Sequence, residues 1–313
     1  MERNQLKRKA VLKELISVLG LIFVIGLFAV LTGGKSVSVT NLKIIVLQAL
    51  VTLVCAVGSI FVAATGELDL SIGGVIGIAS VIGFTMGKGV NPLLILLGGV
   101  LAGVVCSTLV GFLIHYLNIP GLFAGIVMMS VGKCVAALAT QTTQMIVSAK
   151  LVWLDQFWFY ALVAVVTCFL GYFLLNRTLA GLYIKAIGSN RTATEYSGIN
   201  VRKYALLAFV FTGFTAGVSA LLFMLRLGAV TSTSGSGVEM DVILSMIVGG
   251  VSVKGGTSTK IRSAVIGVMM LFVIANGLIL VGVPDKLLNL CKGIIFIVAS
   301  FISIDRKRGE ALV

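Results

Sequence analysis

The sequence predicts an all-α fold, a polytopic membrane protein of about ten transmembrane helices. Three observations carry the prediction. Of 313 residues, 58% are hydrophobic and 11% charged, with a mean hydropathy of +1.14, whereas a soluble domain is roughly 45–50% apolar and about 25% charged. The apolar residues fall in runs near the ~20 residues that cross a bilayer as a helix. The basic residues gather in alternate gaps between those runs, as the positive-inside rule requires.

Taken in order, the runs are Leu15–Thr32, Leu42–Thr65, Ser71–Gly87, Pro92–Leu117, Gly121–Ala139, Phe157–Leu175, Tyr204–Leu227, Met240–Val253, Ser263–Gly282 and Leu287–Ile304. The first follows a basic stretch, "MERNQLKRKAVLKE", but is too long for a signal-peptide core. It lacks a small-x-small cleavage site and is read as a retained span. Met240–Val253 is short, so it is expected to be tilted, broken or partly re-entrant.

With the N-terminus inside, the outer segments carry Lys35, Lys43, Lys88, Lys150 and Lys286, and Lys133, Arg226 and Lys292 fall within spans; the other 16 of the 24 Lys and Arg residues lie inside. Both termini are then cytoplasmic. The net charge of +13 is therefore a topology signal, and no nucleic-acid partner is expected. The longest polar gap, Asn176–Lys203, has 28 residues, too few for a soluble catalytic domain. The chain is expected to be one non-catalytic membrane domain, residues 1–313, with the loop 176–204 emerging from it. The five cysteines lie in apolar runs without metal spacing and are read as small buried hydrophobes. No metal or other cofactor is expected.

Two carboxylates, Glu67 and Asp69, interrupt this apolar background in "GELDLSIGG". A charge at a helix centre costs roughly 2.5–3.5 kcal/mol on the insertion scale, so a helix break is expected here, permitted by Gly66. Asp69 and Ser71 are natural N-cap residues for the helix that follows. One reading makes Asp69 a cap; the other makes the break the lining of a pathway; the two are compatible. A second pair, Glu239 and Asp241 in "GVEMDVILSMIVGG", echoes the first five spans later. The first pair is expected inside and the second outside, as two inverted repeats, about Leu15–Ala139 and Phe157–Ile304, would place them.

In the loop "NRTLAGLYIKAIGSNRTATEYSGINVRKY", one helix is expected to start near Thr178 and another after Ser189 or Asn190, ending at Gly198. A short polar helix projecting from the inner face suits docking to a cytoplasmic partner; a basic loop that only sets topology is the alternative.

Four stretches resemble the permease subunits of ribose-type ABC sugar importers, in the branched-chain amino acid/ribose permease superfamily. "GLYIKAIGSNRTATEYSGINV" resembles that family's G-x-x-x-x-A-x-G-x-N-x-x-A-x-x-x-G-I frame, and "GELDLSIG" its G-G-x-D-L-S-x-G. "NIPGLFAGIVMMSVGK" resembles its I-P-x-F-I-V-T-L-x-x-M segment, and "GSGVEMDVILSMIVGGVSVKGGTST" its G-x-G-x-E-L-D-x-I-A-A-V-V-L-G-G-T-S-x-x-G-G. Order and spacing agree, over roughly residues 42–304. Glu67 replaces the usual Gly, Leu122 the common Phe, and Ser245–Met246 two common Ala; "GGTSTKIRSA" is more basic than usual. These departures bear on the substrate more than on the class.

The resemblance implies the ten-span fold of cobalamin-type (type II) importers in a bacterial cytoplasmic (inner) membrane. It implies a second permease subunit, identical or a sister, two cytoplasmic ATP-binding subunits, and an extracytoplasmic sugar-binding protein. The coupling helix would lie in the loop, with Ala186, Gly188, Ser189, Asn190, Arg191, Glu195, Tyr196 and Gly198 as its residues. The inner gate is expected at Asn118, Ile119, Pro120, Gly121 and Phe123, beside Glu67, Asp69 and Ser71. The pairs Gly73/Gly77, Gly99/Gly103 and Gly213/Gly217 are GxxxG spacings that let helices approach closely. Lys133, Arg226 and Lys292 either snorkel to the headgroups or face an outer vestibule. Trp153, Trp158 and Tyr160 read as an outer aromatic belt. His115, at an apolar helix end, reads as a packing residue. "GVSVKGGT" only mimics a phosphate-binding loop and reads as a tight turn. Two alternatives stand beside the ABC permease of a monosaccharide. One is an ion-coupled secondary transporter using Glu67, Asp69, Glu239 or Asp241; the other is an amino acid or nucleoside permease of the same superfamily.

Overall fold

The computed structural model describes residues 18–251 and 255–303. The basic N-terminal stretch, Lys254 and the basic C-terminal tail used above to orient the chain lie outside the described residues. The described chain is helical: α1 Val18–Leu31, α2 Val39–Ala64, α3 Ile72–Gly87, α4 Pro92–His115, α5 Gly121–Thr142, α6 Phe157–Arg177, α7 Leu179–Ser189, α8 Arg191–Tyr196, α9 Val201–Leu227, α10 Val238–Val248, α11 Ile261–Leu280 and α12 Asp285–Ser303. Short 3-10 turns at Lys35–Val37, Ala149–Leu154 and Gly256–Ser258 join them.

Within each of the ten expected stretches the described residues form a helix, but among the described residues 6 helices are long and apolar enough to cross a membrane by themselves: α2, α4, α5, α6, α9 and α11. The differences are instructive. Helix α3 has 16 residues, about 24 Å at 1.5 Å per residue, short of the ~30 Å hydrocarbon thickness. Helix α10 has 11 residues, about half that thickness.

The helix ends follow local chemistry. Asn91 Oδ1 accepts from the N–H groups of Leu93 and Leu94, ahead of Pro92 at the first helical position of α4, where the missing proline N–H costs nothing. Ser38, Thr178, Asn190 and Asn200 likewise cap α2, α7, α8 and α9, satisfying donors that the first turn leaves free. Gly228, at φ 70°, closes α9 in a left-handed conformation that glycine adopts without steric cost.

Helices α2, α3, α4 and α9 form the centre, and α2 and α9 are the most enclosed of the long helices. The GxxxG spacings are used as expected. A methyl group at Gly103 would run into the Gly213 carbonyl oxygen, and one at Gly217 would meet Gly99 and Val100. The backbones of α4 and α9 thus touch where side chains are absent. Hydroxyls reinforce the contact across helices. Ser107 Oγ donates to the Phe209 carbonyl at 2.8 Å, and Thr212 Oγ1 to the Gly58 carbonyl at 3.0 Å. At the periphery, Asn41 and Asn276 join α2 to α11 through two reciprocal amide hydrogen bonds of 2.8 and 3.0 Å.

The two short helices α3 and α10 meet N-terminus to N-terminus inside the molecule. Gly73, in the first turn of α3, abuts the Gly235 carbonyl and the Glu239 carboxylate, in the first turn of α10. From this junction α3 runs to the face where Gly89 accepts from Ser148 N and Gly228 from Val147 N, at 2.8 and 2.9 Å. Helix α10 runs the other way. The turn after it packs Gly255 on Ala63 and Gly66, at the end of α2. Non-helical chain leads into each short helix, residues 66–71 before α3 and 228–237 before α10.

Candidate functional site

The first cluster lies at the end of α2, on the face that carries the 176–204 loop. Here the chain leaves the helix at Gly66, whose φ is 88°, and runs without regular secondary structure to Ser71. Asp69 is 4% exposed, and its Oδ1 accepts from both the N–H and the hydroxyl of Ser71, at 2.8 and 2.5 Å. Ser71 stands at the N-cap position of α3 without capping through its own side chain. Asp69, two residues earlier, holds the Ser71 N–H and hydroxyl and so fixes the entry to α3 without bonding a first-turn N–H.

Glu67 is less enclosed and faces two elements distant in sequence. Its Oε1 lies 3.7 Å from Arg191 Nη1 at the start of α8, and its Oε2 lies 3.6 Å from His115 Nε2 at the end of α4. Burial pushes the Glu67 carboxyl above the usual carboxylate range; Arg191 partly offsets this and Asp69 adds to it. His115 is buried with its ring edge-on to Phe209, so its packing role holds, with Glu67 as an added neighbour.

The loop helices fall where the capping signals put them. Asn190 caps α8 by accepting from Ala193 N at 2.9 Å, and Gly198, at φ 78°, ends it. Ala186 accepts from Asn190 N. Gly188 is pressed between the Ala64 carbonyl and Gly256 N, and Ser189 Oγ accepts from Thr257 N at 3.3 Å. The far side of α8, with Glu195 and Tyr196, is exposed. Nearby, burial and then the neighbouring Lys260 lower the Lys185 ammonium below its ordinary value. The loop is therefore clasped against both short-helix segments: on the link before α3 through Glu67, and on the chain that follows α10 through Ser189 and Gly188.

The gate candidates form one turn between α4 and α5. Asn118 takes a positive φ of 54°. Ile119 N donates to the Leu113 carbonyl, Pro120 precedes α5, Gly121 opens it, and the Phe123 side chain is exposed. Glu67 adjoins this turn through His115. Arg202 lies over the Tyr116 ring at 5.9 Å, tying the same corner to α9.

Glu239 of the second carboxylate pair is enclosed within the molecule. The chain after α9 folds inward through "TSTSGSG", with Gly235 and Gly237 at positive φ, and delivers Glu239 to the junction at 3% exposure. Glu239 Oε1 lies 3.7 Å from Lys133 Nζ of α5, and Lys292 Nζ of α12 donates to Asp241 Oδ1 at 2.6 Å. Lys133 and Lys292 thus each face a carboxylate. Both pairings were missed from the sequence. The available signal was two lysines and two carboxylates stranded in apolar helices, where opposite charges tend to find each other.

Other expectations divide. Trp153 and Trp158 are exposed, but Tyr160 is fully buried and donates to Asp155 Oδ1 at 2.6 Å. It is a packed hydrogen-bonding residue, not part of a belt. Arg226 lines a shallow pocket with Asp155 and Ser148. Cys55 is buried, whereas Cys134 is exposed. Among the described residues no group of three or more metal-ligating side chains forms.

Comparison with known proteins adds a family frame. The family model described as "Branched-chain amino acid transport system / permease component" matches residues 41–300. The ribose import permease protein RbsC of Escherichia coli K12 is 27% identical over 320 residues, 96% of each chain. The D-allose transport system permease protein AlsC of the same strain is 28% identical over 91% of this chain and 89% of its own. The galactofuranose transporter permease protein YtfT is 27% identical over 80% and 76%. No solved structure gives a significant match.

Proposed function

Because the chain belongs to the family of branched-chain amino acid transport system permease components, we propose that it is the membrane-spanning permease subunit of an ATP-driven importer for a monosaccharide. The sugar class follows from the relatives, whose names specify ribose, allose and galactofuranose. One observation carries the mechanism: the exposed helix α8 touches the break before α3 through Arg191 and Glu67. In this reading cytoplasmic ATP-binding subunits grip α8. Their closure moves the loop, and the loop moves both half-crossings, switching the packing between outward- and inward-open states. The turn Asn118–Phe123 is the inner gate, since it shares its corner with Glu67. Both termini and the loop are cytoplasmic, and an extracytoplasmic binding protein delivers the sugar.

The antiparallel half-helices α3 and α10 support two inverted repeats within a ten-crossing, cobalamin-permease-type arrangement. A second permease subunit, identical or a sister, completes the pathway. Ion coupling through Glu239 or Asp241 is the weaker reading, since each carboxylate already faces a lysine.

The test is reconstitution in proteoliposomes with the ATP-binding and sugar-binding partners, using labelled D-ribose, D-xylose and D-allose. Uptake of one of them that requires ATP, and stops when the partner's nucleotide site is disabled, is expected. Uptake that persists without ATP and follows an ion gradient would overturn the reading.

A further inference from the structure

We propose that Lys133 and Glu239, with the hydroxyl-bearing turn before α10, form a contact point for sugar hydroxyls about halfway through the membrane; this rests on the monosaccharide-permease reading. Depth comes first. Lys133 is well inside the 22-residue helix α5, roughly 13–18 Å from either end at 1.5 Å per residue. Three elements converge on α3 here. A methyl group added at Gly77 would meet the carbonyls of Gly132 and Ser234 at 3.2 and 3.1 Å, and one at Gly73 would run into Gly235 and Glu239.

The second observation is an unfinished polar group. Glu239 is 97% enclosed, yet its Oε2 has no hydrogen-bond partner and rests against Gly73 in the first turn of α3. The Oε1–Lys133 separation of 3.7 Å makes an ion pair without a hydrogen bond. The Lys133 side chain remains 41% exposed. Exposed residues flank the pair in both elements: Ser130 and Cys134 on α5, Ser236, Gly237 and Met240 at the start of α10.

An ammonium group and serines facing lipid at this depth would be costly. A wall of a water-filled path accounts for them. A sugar supplies what the site lacks, acceptor oxygens for the ammonium and hydroxyl donors for the carboxylate. A loose pair also suits a path, where the sugar must be held weakly enough to leave.

The experiment uses the complete transporter, with its ATP-binding and sugar-binding partners, in proteoliposomes. Ser236→Cys is made together with Cys134→Ser and treated with a charged, water-soluble methanethiosulfonate reagent. The introduced thiol is expected to react, and to react at least about threefold more slowly when saturating sugar is present. The sugar used is whichever of D-ribose, D-xylose or D-allose the unmodified transporter takes up. Adding Lys133→Met is expected to remove that protection while the thiol stays reactive, and Lys133→Met or Glu239→Gln alone to lower uptake about tenfold. With wild-type uptake intact, a thiol shielded from the reagent, as lipid or a second subunit would shield it, overturns the proposal. So does modification indifferent to sugar. Absence of wild-type uptake of any monosaccharide overturns the permease reading as well.

Discussion

Arg191 Nη1 lies 3.7 Å from Glu67 Oε1, joining an exposed surface helix to the buried break that precedes α3. The pair is half in solvent, and such pairs contribute about 0–1 kcal/mol to stability. Its value is therefore mechanical. Arg191→Glu is expected to leave thermal stability nearly unchanged while lowering ATP-driven uptake about tenfold, the equivalent of about 1.4 kcal/mol. The double variant Arg191→Glu with Glu67→Arg should recover part of the loss. Uptake and melting temperature measured on the same preparations check this; equal uptake in single variant and wild type would exclude the pair as a coupling contact.

The α4–α9 contact is expected to be intolerant of added volume. Gly103→Val places carbon against the Gly213 carbonyl and the Gly217 backbone, where neither helix can yield without separating. Overpacking of this kind costs about 1–3 kcal/mol. A lowered midpoint of thermal aggregation in detergent, with no comparable loss for Gly121→Val, is the expected outcome. Gly121 has room, since a Cβ added there would meet nothing nearer than an Ile114 side-chain carbon at 3.6 Å.

The Asn41–Asn276 pair should behave as a unit. Asn41→Ala or Asn276→Ala leaves one partly buried amide without its partner, at a cost of about 1–2 kcal/mol each. Removing both leaves neither amide without the other, and only the Ser36 carbonyl loses the bond Asn41 also made, so the double variant should be less destabilised than the sum of the singles. Thermal unfolding of the four proteins closes the cycle, and strict additivity would mean that the amides do not interact.

Glu67 gives a pH dependence whose sign is fixed by its raised carboxyl pKa. The native state holds this proton to a higher pH than the unfolded chain does. The associated stability is therefore present below the unfolded value, about 4.3, and is lost as pH rises through the native one. Glu67→Gln removes the titration. Relative to wild type, the variant should be more stable at pH 8 than at pH 5, by melting temperature in detergent. The opposite slope would mean that Arg191, not burial, dominates the environment of Glu67.

Much of the fold was legible in the sequence because its signals are local. Apolar run length located helices in all ten stretches, and Thr178, Asn190 and Gly198 set the limits of α7 and α8 through their own capping geometry. Met240–Val253 was legible as a short run, expected to be tilted, broken or partly re-entrant. The limits of α3 were legible too, bounded by Gly66 and its two carboxylates; what run length did not show was the Gly235 and Glu239 junction that encloses its first turn. Tyr160 was misplaced for a related reason: a tyrosine near a helix end reads as interfacial until its neighbours bury it.

By itself the sequence determined that this is a multi-pass membrane protein with a capped, exposed helix in its longest polar loop, since chain length against bilayer thickness and side-chain capping are properties of contiguous residues. Only the tertiary structure decided that Glu67 would meet Arg191 and His115, that Glu239 would meet Lys133, and that α3 and α10 would start at a common point. Those juxtapositions depend on which glycine faces admit a neighbouring backbone. That is set by three-dimensional packing between helices far apart in the chain, and no local pattern encodes it.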